Sequence, residues 1–252
     1  MRVIRTAEEL RAALPSGSVG LVPTMGAFHD GHLSLFRAAR DENDVVVVSL
    51  YVNPAQFGAG EDLDRYPRDE AHDRTLAEEA GVDVLFAPES LYGPEHSTWV
   101  DVEGLDDTLE GRFRPGHFRG VATVCLKLFN IVRPDRAYFG QKDAQQAAVV
   151  KRMVADLDLD LEIRVLPTVR DRDGLALSSR NAYLSSDERA KALALPQALA
   201  TRDLDRAREL LAGLDVDYVE VAELDGQRVL AAAVHVGKTR LIDNVVLEGE
   251  NA

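Results

Sequence analysis

The sequence predicts a Rossmann-like α/β fold: a doubly wound parallel sheet followed by a small C-terminal α+β domain. Three observations carry the prediction. Runs such as Val45-Val46-Val47-Val48 are apolar at every position, as strands covered on both faces must be. Helical periodicity fills the intervals between such runs, giving a βαβ alternation. The segment His29-Asp30-Gly31-His32 falls between a strand pattern and a helix pattern, where folds of this class aim a helix N-terminus at a ligand.

Taken in order, strands are expected at 19–22, 45–52, 82–86, 136–139 and 161–169, with helices at 33–41, 70–80, 120–131 and 144–157. A short extra strand is expected at 98–102. The alternation of acid and leucine at 156–160 reads as a solvated helix end. The pattern changes at Ser185, where Ser185-Ser186-Asp187-Glu188 has capping-box spacing. Helices to about 214 and strands at 218–224, 229–236 and 241–247 complete the reading. The expected domains are therefore 1–184 and 185–252.

Length and composition bound the class. The 252 residues, 46% hydrophobic and 29% charged, suit one large α/β domain plus a small appendage. No apolar run approaches the roughly 20 residues of a membrane helix. Residues 1–5 lack the apolar core of a secretory signal, and the single cysteine, Cys125, excludes an intrachain disulfide. The expected compartment is the cytoplasm. A formal charge of −14 argues against nucleic-acid and anionic-membrane partners. It leaves room for an anionic small substrate, because a few cations can converge on one cleft.

Six segments offer chemistry. At 22–32, free helix N–H groups and two imidazoles suit a phosphate, although a lone histidine is equally a surface or metal-binding residue. Asn53 and Gln56 are neutral donors and acceptors after the second strand, in what is also an ordinary Asn-Pro turn. At 140–146, Lys142 can meet a phosphate, Asp143 can accept ribose hydroxyls and Gln146 lies one turn into the helix; a capped helix with an exposed lysine is the plain reading. Ser178, Ser179 and Arg180 form a candidate polyphosphate clamp. The basic island 112–119 serves an anion or is a solvated loop. Asp69, Glu70 and Asp73 offer Mg²⁺ support or simply a favourable acidic first turn. The chain lacks GxxxxGK[ST] and GxSxG, which excludes P-loop and hydrolase-elbow chemistry.

In this order the segments resemble the pantoate–β-alanine ligase (pantothenate synthetase) family. The matching pieces are VPTMGAFHDGH at 22–32, VNPAQF at 52–57, YPR at 66–68, RPGHFRGVATVCLKL at 114–128, VRPDRAYFGQKDAQQ at 132–146, PTVRDRDGLALSSRNAYL at 167–184 and KTRLIDN at 238–244. The resemblance implies a cytoplasmic homodimer that uses ATP and Mg²⁺ to join pantoate to β-alanine through a pantoyl adenylate. It implies catalytic roles for His29, His32, Lys142 and Arg180. ATP would meet Met25, His32, Gly140, Lys142, Asp143, the backbone at Val169, Ser178, Ser179 and Arg180. Pantoate would meet Gln56, Gln146 and Met25. Asn53, Tyr66, Arg114 and His117 would lie near the amine or a closing loop, and Asp73 would support Mg²⁺ carried by ATP. Two departures stand out: His72 occupies a position that is often acidic, and the helical segment after Leu195 is shorter than in many members.

Two other readings compete. A related HxGH adenylyltransferase would stop after AMP transfer, but gives no reason for the paired Gln56 and Gln146. A non-catalytic nucleotide-binding module would be expected to have lost His29, His32 or Lys142, and all three are present.

Overall fold

The computed structural model describes residues 1–247. Its first unit runs β1 (Arg2–Ile4), α1 (Ala7–Ala13), β2 (Val19–Thr24), α2 (Asp30–Glu42), β3 (Val45–Leu50), α3 (Glu70–Glu79), β4 (Val84–Phe86), α4 (Leu109–Phe113), α5 (His117–Val132), β5 (Arg136–Gly140), α6 (Ala144–Asp156) and β6 (Glu162–Leu166). The strands pair in the order β1-β4-β3-β2-β5-β6, every pair parallel. From β2 the chain winds one way through β3 and β4, then returns to lay β5 on the other side of β2. That reversal creates the crevice where doubly wound sheets bind ligands.

Alternation explains the four-valine run. Val45 and Val47 join the core on one face, with Phe118 and Leu128 of α5, while Val46 and Val48 join the core on the other, with Phe36 of α2. Successive strand residues face opposite sides, so a run without polar positions is what a doubly covered strand requires.

The second unit comprises α7 (Ser186–Ala192), α8 (Ala194–Ala200) and α9 (Leu204–Leu211), then β7 (Asp215–Leu224), β8 (Gln227–Val236) and β9 (Thr239–Val246) in an antiparallel sheet. Ser185 and Glu188 form the expected capping box. Leu230, Ala232 and Val234 pack with the helices of this unit, whereas Ala231 and Ala233 join Ala144 and Ala148 of α6. The small sheet therefore lies directly against the helix that follows β5. Residues 248–252 of the expected second domain lie outside the described residues.

Several expectations are corrected. β1 and α1 are additional elements; β1 has three residues and its hydrophobic pattern is too short to register. No strand forms at 98–102, where the Val100 N–H instead donates to Thr123 Oγ1 at 3.0 Å. The strand expected at 161–169 stops at Leu166, before Pro167, which has no N–H to continue a ladder. The chain then makes a narrow hairpin with an Arg170–Ala176 bridge. Among the described residues, no helix is long and apolar enough to cross a membrane.

Candidate active site

A cleft of about 430 Å³ opens at the strand reversal, between the carboxyl ends of the central strands and the small sheet. Its size and place suit a small-molecule site. Every expected site residue except Asp73 lies on its wall.

The histidine corner is built by local backbone constraint. Between β2 and α2, Ala27 turns through left-handed backbone with φ 54°, which costs a residue bearing a β-carbon about 1–2 kcal/mol. Asp73 holds that turn, its Oδ2 accepting the Ala27 N–H at 2.8 Å and its Oδ1 the Phe28 N–H at 2.7 Å. The expected Mg²⁺ support at Asp73 gives way to this role, because the side chain is buried with both oxygens aimed at backbone donors. His72, beside it, is exposed.

The HxGH segment is itself a capping box made of imidazoles. His29 Nδ1 accepts the Gly31 N–H at 3.2 Å, and His32 Nδ1 accepts the His29 N–H at 3.3 Å. With both Nδ1 atoms accepting, the hydrogen-bond pattern assigns each neutral ring its proton on Nε2. Burial, reinforced by Lys142, pushes the His29 pKa down to about 4. Burial, followed by the neighbouring His29 and Lys142, holds His32 well below its usual range. At neutral pH the corner thus offers two uncharged N–H donors. Gly31 fits because a β-carbon there would stand 2.9 Å from the His29 ring.

Gln56 is set by a relay. Its Oε1 accepts from Asn53 Nδ2 at 2.9 Å, and its Nε2 lies 3.3 Å from Met25 Sδ. Asn53 Nδ2 also donates to Gly120 O at 3.2 Å, while its Oδ1 accepts the Ala55 N–H at 3.3 Å and the Tyr92 hydroxyl at 3.0 Å. With its amide committed to these partners, Asn53 supports Gln56 while also lining the cleft. Gly120 makes this possible, since a β-carbon there would meet Ala55 O at 2.3 Å. His117 completes the relay: Nδ1–H donates to Gln56 O at 2.9 Å and Nε2 accepts from Arg114 at 3.0 Å. Burial, then Arg114, pushes the His117 pKa down to about 4.

Two arginines are held by adjacent carboxylates. Arg180 donates to both oxygens of Asp62 at 2.8 Å, and Arg114 donates to Glu61 at 2.8 and 2.7 Å. The guanidinium of each holds its partner carboxyl below the usual range, against the opposing effect of burial. Tyr66 lies under Arg180, 5.9 Å from guanidinium carbon to ring centre. Ser178 Oγ accepts the Arg180 N–H, and Ser179 Oγ donates to Ala27 O at 3.4 Å, tying the serine segment to the histidine turn.

Beside the histidine corner, β5 ends at Gly140 and a short turn presents Lys142, whose Nζ is 3.3 Å from Asp143 Oδ1. Asp143 occupies the N-cap position of α6 without a side-chain cap bond, leaving its carboxylate to face the cleft. Gln146 lines the same wall, and the Val169 carbonyl accepts the Leu177 N–H at 3.0 Å. Sequence reasoning missed Glu61, Asp62, Tyr92 and Gly120. An acidic pair between a glycine-rich turn and Tyr66-Pro67-Arg68 was a usable signal for the first two; for Tyr92, distant in sequence, there was none.

Among the described residues, no group of three His, Cys, Asp or Glu side chains could hold a metal ion. Asp73, Asp62 and Glu61 serve backbone or guanidinium partners, and Asp143 faces the cleft beside Lys142, so these residues do not fit an all-protein Mg²⁺ site. Mg²⁺ is commonly held through substrate phosphates with only one or two carboxylates.

A mouth of neutral donors and cations, set at the strand reversal of an acidic α/β protein, defines the class of doubly wound proteins that act on nucleoside phosphates. The pantoate-beta-alanine ligase family model matches residues 2–246, and the chain belongs to that family. It is 55% identical over 258 residues to pantothenate synthetase of Moorella thermoacetica, covering 92% of this chain and 91% of that one. With the enzyme of Acetivibrio thermocellus it shares 48% identity over 280 residues, covering 98% and 100%. A pantothenate synthetase structure from Thermus thermophilus matches with a TM-score of 0.94 at 47% identity, covering 97% of this chain and 99% of that one. A pantoate-beta-alanine ligase structure from Francisella tularensis, complexed with beta-gamma ATP and beta-alanine, matches at 0.86 and 35% identity, covering 98% and 97%.

Proposed function

We propose that this chain joins pantoate to β-alanine in two steps within one cleft. A pantoate carboxylate oxygen attacks the α-phosphorus of ATP, and the bond to the bridging oxygen breaks to release pyrophosphate. The amine of β-alanine then attacks the acyl carbon of pantoyl adenylate, and AMP leaves with the former carboxylate oxygen. The amide keeps the acyl carbon, and the ammonium protons pass to solvent.

The observation that carries the reading is the gathering of Gln56, Met25, the histidine corner, Lys142 and Gln146 around one cleft. Neutral amides can hold the hydroxyls and carboxylate of pantoate without opposing the loss of charge on its carboxylate. His29 and His32 donate to the α-phosphate region, where uncharged donors suffice for charge that shifts among oxygens. Lys142 and the segment Ser178–Arg180 hold the departing pyrophosphate. The backbone at Val169 receives adenine, and Gly140 and Asp143 receive the ribose. Tyr66, Arg114 and His117 border the region into which the amine enters.

Mg²⁺ would enter bound to the triphosphate. Residues 1–184 bind the substrates and the following unit serves as a lid. The protein acts as a homodimer in the cytoplasm. Pantoate-dependent exchange of labelled pyrophosphate into ATP, without β-alanine, is the test: exchange supports adenylation, and its absence in folded protein removes the first step.

A further inference from the structure

β9 is the edge strand of the small sheet, and two adjacent residues on it hold two different segments that border the cleft. Neighbouring strand residues face opposite sides. Asn244 therefore turns to the Lys142 segment while Asp243 turns to the hairpin that follows Val169. Asn244 Nδ2 donates to Gln141 O at 2.9 Å and to Lys142 O at 2.8 Å, and its Oδ1 accepts from Gln141 Nε2 at 3.2 Å. Asp243 accepts from Arg170 at 2.6 and 3.1 Å, and its Oδ1 also accepts the Asn244 N–H at 2.8 Å. Arg170 in turn donates to Gly174 O at 3.2 Å, bracing the hairpin that leads to Ser178.

We propose that Asn244 is a positioning residue for Lys142, the small sheet setting the aim of the phosphate-facing turn through this amide. The proposal rests on the nucleotide reading of the cleft. The turn 141–143 is three residues long and carries no side-chain cap of its own. Asn244 satisfies two successive carbonyls there and fixes the backbone from which the Lys142 side chain departs. Asn244 is itself fixed, being 5% exposed and anchored through its N–H to an ion-paired Asp243 that is 2% exposed. A carboxylate in place of the amide keeps the shape but cannot donate to either carbonyl.

The test is a double-mutant cycle with Lys142, read in ATP affinity by calorimetry and in the rate of pantoate-dependent pyrophosphate exchange. Asn244→Asp in the wild-type background is expected to lower the exchange rate about 10- to 100-fold, the scale of a small misplacement of a catalytic group. It should also weaken ATP. In the Lys142→Ala background the same substitution should change ATP affinity by less than about 3-fold, because the group it positions is gone. Should Asn244→Asp fail to fold by circular dichroism, Asn244→Ser carries the same cycle. Equal losses in the two backgrounds overturn the proposal, since they mark a clasp that acts without Lys142. A wild-type protein that neither exchanges pyrophosphate nor binds ATP overturns the nucleotide reading itself, and is distinguishable from the additive outcome.

Discussion

Arg180 and Asp62 face each other as a two-pronged pair, each carboxylate oxygen accepting a guanidinium N–H at 2.8 Å. In the proposed function these two donors hold the triphosphate, and Asp62 then competes with phosphate for them. Asp62→Asn weakens the competitor while keeping its shape. We expect ATP to bind about 3- to 10-fold more tightly, the scale of one charge-assisted hydrogen bond in a partly exposed site. Calorimetric titration checks it; unchanged or weaker binding shows that Asp62 helps bind ATP or is irrelevant to it.

The capping-box geometry gives the histidines two separable jobs. His29→Ala and His32→Ala should each slow adenylation about 10²- to 10³-fold with a smaller effect on ATP affinity, as removal of a transition-state donor does. Each should also lower stability by about 1 kcal/mol through loss of an N-terminal cap. Single-turnover kinetics and thermal melts read the two effects separately. Near-normal adenylation with lowered melting would leave the imidazoles as caps alone.

The relay behind Gln56 predicts an effect from outside the cleft's chemistry. Tyr92→Phe removes only the hydroxyl that donates to Asn53 Oδ1 at 3.0 Å. The apparent KM for pantoate should rise roughly 3- to 10-fold, the cost of about one hydrogen bond, with the KM for ATP unchanged. An equal rise for both substrates would point to general loosening of the cleft.

Acid should destabilise the fold through its buried imidazoles. His29 and His117 titrate at about 4 when folded, against an ordinary 6.5. Between those values the unfolded chain binds protons that the folded chain refuses, so stability falls as pH drops from 6.5 towards 4. Melting temperatures across that window should decline, and the decline should be shallower in His117→Gln. An identical slope in the variant would remove His117 from the effect.

How much of this was readable in the sequence depended on the range of the interaction. The run Val45–Val48 and the Ser185–Glu188 box declare themselves within four residues, so the doubly covered strand and the capped helix start were visible. The HxGH corner was visible as a ligand-facing turn, but its capping geometry required the backbone. Asp73 misled because an acid in a helix's first turn looks alike whether it meets a metal or, as here, the N–H groups of Ala27 and Phe28 across 45 residues. The support Asn53 gives Gln56 was not legible for the same reason: its partners Tyr92 and Gly120 are 39 and 67 residues away. The lack of a strand at 98–102 also reflects a distant partner, Thr123.

In the proposed path the carboxylate of pantoate attacks the α-phosphorus. One of its oxygens then bridges carbon and phosphorus, and aminolysis at the acyl carbon leaves that oxygen on AMP. A full turnover with carboxylate-¹⁸O pantoate, ATP and β-alanine, resolved by mass spectrometry, reads this directly. The expected result is one ¹⁸O in AMP and none in pyrophosphate. ADP as the nucleotide product, with ¹⁸O in inorganic phosphate, would contradict the adenylate path and with it the roles assigned to the histidine corner and Lys142.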